Sequence, residues 1–318
     1  MPEKKLSVGV VMDPIESITP KKDSTLAMLL EAERRGAEIH YMLQHDLDLI
    51  SGEARARSRP LHVQDDLDNW FETGGEQDIG LGELDIILMR KDPPFDMEYV
   101  YTSYILERAE QAGSVVVNRP QALRDMNEKA YTAWFADCSP ATLITRSMQE
   151  MKAFLEKHER VAVKPLDGMG GRSVFVVGQG DNNANVIFET LTDNGRRFAM
   201  AQEYIPEISE GDKRILLIDG APVPHSLARI PPADDNRGNL VVGAVGEGRD
   251  LSEQDLRICA EVGPALRDQG VIFAGIDIIG DYLTEINVTS PTGIRELDNI
   301  FDLNIAGDLF DAIEKRLN

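Results

Sequence analysis

Three groups of polar residues in this chain have the types and spacing for chemistry on a phosphorylated ligand. The first is Lys164-Pro165-Leu166-Asp167-Gly168-Met169-Gly170-Gly171, a lysine followed by a glycine-rich turn. Glycines let a turn bring backbone N–H groups close to phosphate oxygens, and Gly168, Gly170 and Gly171 suit that task. An ordinary surface turn also accounts for a lone glycine cluster, so the flanks decide. A P-loop carries its lysine after the last glycine, with a helix behind it. Here the lysine comes first, and Val161–Val163 and Val174–Val177 are both strand-like. No helix starts at Gly171, which removes a dinucleotide-binding reading as well. The pattern predicts a β-hairpin flap over phosphates, with Lys164 reaching beneath it.

The second group is Asp277, Glu285 and Asn287, within Ala274–Thr289. Glu285 and Asn287 are two apart and share one strand face, whereas Ile286 and Val288 point the other way. Asp277 lies between Ile276 and Ile278 and so opposes their apolar face. A three-residue connection, Gly280–Tyr282, sets Asp277 across from Glu285, while a two-residue Gly280-Asp281 turn places them on opposite faces. Side-chain patterning favours the longer turn. Three oxygen donors then converge as Mg2+ shared with phosphates requires, with Mn2+ as a second candidate. A solvated acidic hairpin face is the competing account. No histidine or cysteine joins the group, which argues against zinc.

The third group is a set of cations and connectors. Ala201–Pro206 reads as a strand end whose Gln202, Glu203, Tyr204 and Ile205 either meet an adenine edge or merely link two strands. Gly211-Asp212-Lys213-Arg214 and Ala228-Arg229-Ile230 place cations beside strands. An arginine fork can hold two phosphate oxygens at once, although surface pairing explains any single arginine.

The elements that must position these residues fall into two parts. Strand signals at Leu6–Met12, Glu38–Met42, Leu84–Met89 and Val115–Asn118 alternate with helical ones. These run from an Asp23-Ser24 cap to about Gly36, and over Tyr99–Gln111. Such alternation predicts a parallel sheet flanked by helices, with ligands favoured at the carboxyl ends of its strands, near Asp13, Arg90 and Asp92. From about Gln121 the pattern changes. A helix over Ala122–Phe135, another over Met148–His158, and β-rich stretches at Val161–Val177, Ile215–Ile230 and Ile272–Thr289 predict an α+β second domain. The expected division is 1–123 and 124–318.

The 318 residues carry a net charge of −22, with 42% hydrophobic and 28% charged residues. This is a globular composition whose field repels nucleic acid and anionic membranes, so neither is an expected partner. Phosphates must then be met by locally placed cations, as in the groups above. The longest apolar stretches, such as Val271–Ile279, are too short to cross a bilayer, and Met1–Lys5 leads into a strand without an apolar signal region. Cys138 and Cys259 are far apart and lack metal or redox spacing, which fits a reducing cytoplasm.

Almost the whole chain resembles the bacterial glutathione synthetases of the ATP-grasp superfamily. The resemblance is carried by Val11–Ile15, Leu88–Asp96, Asn127-Glu128-Lys129, Lys164–Gly171, Gly211–Arg214, Arg237-Gly238-Asn239 and Thr284–Thr292. It implies a Rossmann-like N-terminal domain followed by an ATP-grasp domain, with nucleotide between the latter's two lobes. The implied reaction joins γ-glutamylcysteine to glycine through an acyl phosphate, giving glutathione, ADP and phosphate. It further implies that Lys129 and Lys164 hold ATP phosphates and that Gln202–Ile205 hold the adenine. Asp212 would meet the ribose, Arg214 and Arg229 the phosphates or developing oxyanion, and Asp277, Glu285 and Asn287 the magnesium. The segment from about Pro231 to Val245 would be a mobile closing loop. Its Gly243-Ala244 departs from the family's Gly-Gly, which bears on a backbone contact there rather than on the reaction class. A homo-oligomer in the cytoplasm is implied too.

Other readings use some of the same residues. A related ligase would keep the ATP and metal groups and differ in Arg90–Asp96 and Ser290–Arg295. A small-molecule kinase would also use a flap and magnesium. A non-catalytic nucleotide-binding regulator has no need of Lys129, Lys164, Arg229, Asp277, Glu285 and Asn287 together. His158, ending a helix, and His225, beside a strand, are expected to be structural.

Overall fold

The computed structural model describes residues 5–231 and 245–317. Three sheets make up its framework. The first has a parallel centre formed by Glu38–Met42, Ser7–Val11, Ile86–Met89 and Val115–Val117 in that spatial order. Its apolar runs are buried on both faces, as central parallel strands require. The helix Ser24–Arg34 starts where the Asp23 carboxylate accepts from the Leu26 N–H at 2.7 Å. The helix Met97–Ala112 is capped in the same way by Asp96.

Four further strands, Leu47–Ile50, Glu53–Val63, Phe71–Thr73 and Gln77–Gly80, extend this sheet antiparallel. The sequence reading assigned nothing there. Glu53–Val63 alternates only as far as Ser58 before its phase slips at Arg59-Pro60, and its inward residues begin Ala54, Ala56 and Ser58, too small and weakly β-forming to signal a strand. A second correction concerns the helix expected over Ala122–Phe135. It stops at Asp125, and a 3-10 segment, Ala130–Cys138, follows after a break. The Asn127 side chain accepts from the N–H groups of Lys129 (3.1 Å) and Ala130 (2.9 Å), competing with helical continuation. That break releases Lys129 from a helix face and turns it toward the glycine flap.

The second sheet is antiparallel, in the order Phe175–Gly178, Arg160–Pro165, Ala199–Glu203, Thr142–Thr145. One face buries Val161, Val163, Val177 and Ala201 against the helices Met148–His158 and Ala184–Thr192. The third sheet runs Val245–Asp250, Ala221–Ile230, Asp212–Ile218, Phe273–Ile279, Tyr282–Asn287. Ile215, Leu217, Ile276, Ile278 and Ile286 share a core with Ile258, Val262 and Leu266 of the helix Glu253–Asp268. The alternate residues of its central strands therefore face the second sheet, and these are the chemically capable ones.

Candidate active site

Strand periodicity and register assemble the site on one face of the third sheet. Asp212 is paired with Arg229, Arg214 with Asp277, Asp277 with Glu285, and Gly275 with Asn287. The hairpin reaches this arrangement by an unexpected route. Its turn is the two-residue Gly280-Asp281, with Ile279 paired to Tyr282, and not the three-residue connection favoured by patterning. Gly280 has φ +56, a conformation suited to glycine in a tight hairpin turn. A bulge at Thr284 then restores the register, so Asp277 does face Glu285. The Thr284 hydroxyl donates to the Asp277 carbonyl at 3.1 Å, pinning the bulge.

Asp277 is buried and bears the most connections. Arg214 grips it with Nε and Nη2, the latter 2.9 Å from Oδ2, and Arg229 Nη2 lies 3.0 Å from the same oxygen. Asn287 Nδ2 donates to it at 3.3 Å. Burial opposes its charge, but the two guanidiniums hold its carboxyl well below the usual carboxylate range. Burial pushes Asp212 the other way, up to about 6, with Arg229 offsetting only part of that and Asp277 and Glu285 adding to it. Gly275 lets Arg214 lie flat across the strand, since a Cβ there would sit 2.8 Å from Arg214 Cδ.

Lys164 enters from the opposing sheet. Ala162 and Lys164 share its cleft face, while Val161 and Val163 fill the core behind. Lys164 Nζ lies 3.7 Å from Glu285 Oε1, and Lys129 Nζ 3.6 Å from the same atom. Lys129 also pairs with Glu128 and donates to the Gly168 carbonyl at 2.6 Å. Burial lowers the pKa of Lys164 despite Glu285. Burial pulls Lys129 in the same direction, but Glu285 and Glu128 more than offset it. Burial and the nearby Glu285 raise the carboxyl of Glu128.

The glycine segment is the hairpin flap expected from its flanks, with Val163 paired to Phe175 around the 166–174 connection. Gly170 and Gly171 have φ +62 and +73, which explains glycine at both. Asn127 Nδ2 donates to the Leu166 carbonyl at 3.0 Å, and Arg197 pairs with Asp167 at 2.5 Å.

Between the flap and the third sheet lies a cleft with an empty volume, open mouth included, of about 850 Å³. Ala162, Val174, Val176, Ile205, Ile208 and Ile279 give it apolar walls, Lys129, Lys164, Asp212 and Glu285 give it charge, and Gln202, Glu203 and Tyr204 line it too. This slot can take a flat heterocycle against the apolar walls and phosphates against the lysines. The N–H groups of Glu203 and Tyr204 are already donated to Ala141 (2.9 Å) and Arg160 (3.1 Å), so they are not offered to a ligand.

The donor types suit a hard divalent cation, although no three Asp, Glu, His or Cys side chains cluster as a metal site among the described residues and both Asp277 oxygens are held by Arg214 and Arg229. Two carboxylates and an amide lie on adjacent strands, without histidine or cysteine among the cleft's lining residues. Arg229 Nε and Asp212 Oδ1 are buried and find no hydrogen-bond partner among the described residues. Orphaned polar atoms of this kind mark a place where a ligand belongs.

Of the residues singled out from the sequence, Lys129, Lys164, Gly168, Gly170, Gly171, Gln202, Glu203, Tyr204, Ile205, Asp212 and Glu285 line this cleft, and Arg214, Arg229, Asp277 and Asn287 adjoin it through their bonds to Asp212 and to one another; the 231–245 segment stands apart. There, residues 232–244, including Arg237, Gly243 and Ala244, are outside the described residues. Arg90 and Asp13 have other duties. Buried Arg90 donates to Thr25 Oγ1 (3.1 Å) and the Pro291 carbonyl (2.9 Å), and Asp13 pairs with Lys91 at 2.9 Å. His225 stacks on Phe301, with ring centroids 3.7 Å apart, and His158 packs on Phe154, as structural roles require. Among the apolar walls the sequence singles out Ile205 alone, and it assigns no role to Glu128 or to Ala162, Val174, Val176, Ile208 and Ile279. For Ala162 the signal was present in its two-residue spacing from Lys164.

Two β-sheets facing each other across a nucleotide-sized cleft, with a glycine hairpin as lid, define an ATP-grasp fold. Solved structures agree. D-cycloserine synthetase DcsG aligns over 98% of this chain and 100% of its own, with TM-score 0.68 at 16% identity. The ATP-grasp ligase PsnB aligns over 99% and 100%, with TM-score 0.64 at 18% identity. Residues 6–124 match the family model of the prokaryotic glutathione synthetase N-terminal domain, and residues 128–302 that of the prokaryotic glutathione synthetase ATP-grasp domain. Glutathione synthetases from Escherichia coli and Salmonella typhimurium are each 59% identical over 98% of this chain and 99% of theirs. The chain belongs to the prokaryotic glutathione synthetase family.

Proposed function

We propose that this enzyme joins γ-glutamylcysteine to glycine at the expense of ATP, giving glutathione, ADP and phosphate. The observation that carries the proposal is the single-face array of Asp212, Arg214, Arg229, Asp277, Glu285 and Asn287 opposite Lys164 and the glycine flap. Family membership supplies the substrates.

The cysteinyl carboxylate oxygen attacks the γ-phosphorus of ATP, and the bond from that phosphorus to the ADP oxygen breaks. The glycine amine then attacks the acyl carbon of the resulting acyl phosphate, loses a proton, and phosphate leaves. No protein nucleophile is required, so the side chains contribute position and charge. Lys129 and Lys164 hold phosphates, the walls from Ala162 to Ile279 and the Gln202–Ile205 strand end hold the adenine, and Asp212 meets the ribose. Arg214 and Arg229 balance charge on the transferring phosphoryl group and the oxyanion. Asp277, Glu285 and Asn287 would hold Mg2+, or Mn2+ in its place, which neutralises phosphate charge when bound.

Four cations (Lys129, Lys164, Arg214, Arg229) already face four carboxylates (Glu128, Asp212, Asp277, Glu285) in this site. A nucleotide entering with its cation exchanges one set of pairs for another. The cost of bringing a polyanion into a protein of net charge −22 is thereby kept local.

Further parts of the reading are a division into domains 1–123 and 124–318, a cytoplasmic location, a homo-oligomeric state, and no nucleic-acid or membrane partner. Among the described residues no helix is long and apolar enough to cross a membrane. The test is phosphate release from Mg-ATP with γ-glutamylcysteine, with and without glycine and across other amino acids. Release that needs both substrates and yields glutathione supports the assignment; release only with another pair discards the substrates and keeps the site.

A further inference from the structure

Asn118 follows the parallel strand Val115–Val117, in the N-terminal part of the chain, yet all its partners lie in or immediately beside the hairpin that carries the metal-type ligands. It is 2% exposed. Its Nδ2 donates to the carbonyls of Phe273 and Val288, each at 2.6 Å. Its Oδ1 accepts from the N–H groups of Ile272 (2.8 Å) and Phe273 (2.9 Å). An asparagine amide has two donor hydrogens and two acceptor lone pairs, and here all four are used.

The location matters more than the count. The ladder between Phe273–Ile279 and Tyr282–Asn287 ends at the Gly275–Asn287 pair. The next rung is supplied by the Asn118 amide, which bridges Phe273 to Val288. The turn at Gly280-Asp281 closes one end of the hairpin and Asn118 closes the other, with Asp277, Glu285 and Asn287 between them. Asn287 adjoins Val288 in sequence, so its side chain is one peptide unit from the clamp. The neighbouring parallel strand adds support, because Arg90 Nη2 donates to the Pro291 carbonyl at 2.9 Å.

We infer that Asn118 is a positioning residue for divalent-cation binding, by which the N-terminal sheet sets the register and spacing of Asp277, Glu285 and Asn287. The inference rests on the metal role proposed above for those three. Rigidly held ligands bind a small cation that demands near-ideal geometry better than loosely held ones do.

The test uses the full chain with Asn118→Asp, which removes both donors, and Asn118→Ser, which shortens the side chain without introducing a charge. Mn2+ is titrated in the presence of ADP by the electron paramagnetic resonance of the free ion, and ADP is titrated separately in EDTA. The expected result is a tenfold or larger rise in the Mn2+ dissociation constant, with ADP affinity in EDTA within twofold of wild type. Val262→Ala, a core change behind the same sheet, should lower the melting temperature and leave both constants unchanged. Asn118 variants that melt earlier but bind Mn2+ as wild type does would overturn the inference and leave the metal assignment standing. Should Asp277→Asn also bind Mn2+ normally, the metal assignment itself falls, and the inference with it.

Discussion

Replacing Lys164 by methionine separates stability from function in a way that tests the charge reading of the cleft. The lysine side chain is buried, its pKa is lowered by that burial, and its nearest carboxylate, Glu285, lies 3.7 Å away and also pairs with Lys129 at 3.6 Å. A depressed lysine pKa means that the folded state disfavours the ammonium, so the charge costs stability at neutral pH. Methionine keeps a similar length and apolar stem, and Glu285 retains Lys129. Replacing a whole buried ion pair by packed apolar groups is commonly neutral or stabilising, whereas stranding one partner is costly; because Glu285 keeps Lys129 it is not stranded here, and the expected gain is roughly 0–2 kcal/mol. The melting temperature of Lys164→Met should therefore match or exceed that of wild type. Loss of a preorganised charge from the phosphate end should nevertheless reduce kcat/KM for ATP by about 10²–10³-fold. Differential scanning fluorimetry and coupled ADP-release kinetics on the same preparations provide both readings. A melting temperature several degrees lower with near-normal kinetics would refute the reasoning, since it would make Lys164 a structural ion-pair partner and not a ligand for phosphate.

Asp277→Asn is predicted to behave in the opposite way: it leaves Arg214 and Arg229 buried beside a neutral amide, for a loss of about 3–5 kcal/mol measurable by urea unfolding. Gly275→Ala forces a methyl to within 2.8 Å of Arg214 Cδ and 3.0 Å of Pro291 Cβ. Its kcat should drop by more than tenfold while the KM for ATP changes little, because Gly275 does not line the cleft; a kcat within twofold of wild type would count against the Arg214 placement. Asp298 supplies a pH test away from the cleft. Burial pushes its carboxyl up to about 6, although it accepts from the Ile305 N–H at 3.0 Å. The folded state then holds a proton that the unfolded chain has released between pH 4 and 6, so this group contributes stability at acid pH that is lost as pH rises through 6. Melting temperatures across pH 4–7 should show that component flattened in Asp298→Asn.

What was legible in the sequence followed from periodicity. Glu38–Met42 and Met148–His158 have the bounds that their patterns imply, and the glycine flap could be told from a P-loop by the side on which its lysine stands. Parts that stayed hidden depend on single residues acting against the local pattern. Asn127 ends a helix by capturing two N–H groups with its side chain, and no hydrophobic count registers that. The strand Glu53–Val63 hides behind alanines and a serine, because a small inward residue satisfies a crowded site without resembling a strand former.

The metal-type hairpin illustrates why a correct pairing can rest on an incorrect intermediate. Facing Asp277 with Glu285 was required to keep polar side chains on one side, and only two devices meet that requirement, an extra residue in the turn or one in the strand. Patterning cannot choose between them, because either keeps Ile276 and Ile286 on the buried face. The structure uses the strand, with Thr284 as the extra residue and its hydroxyl tied to the Asp277 carbonyl at 3.1 Å. A tight Gly280-Asp281 turn gives a stiff end to the hairpin, and a bulge beside the ligands re-aims a side chain without loosening the ladder. With the Asn118 amide at the other end, the three oxygen donors lie between two fixed points. The geometry of a cation bound there would be set as much by the ends of the hairpin as by the residues that would touch it.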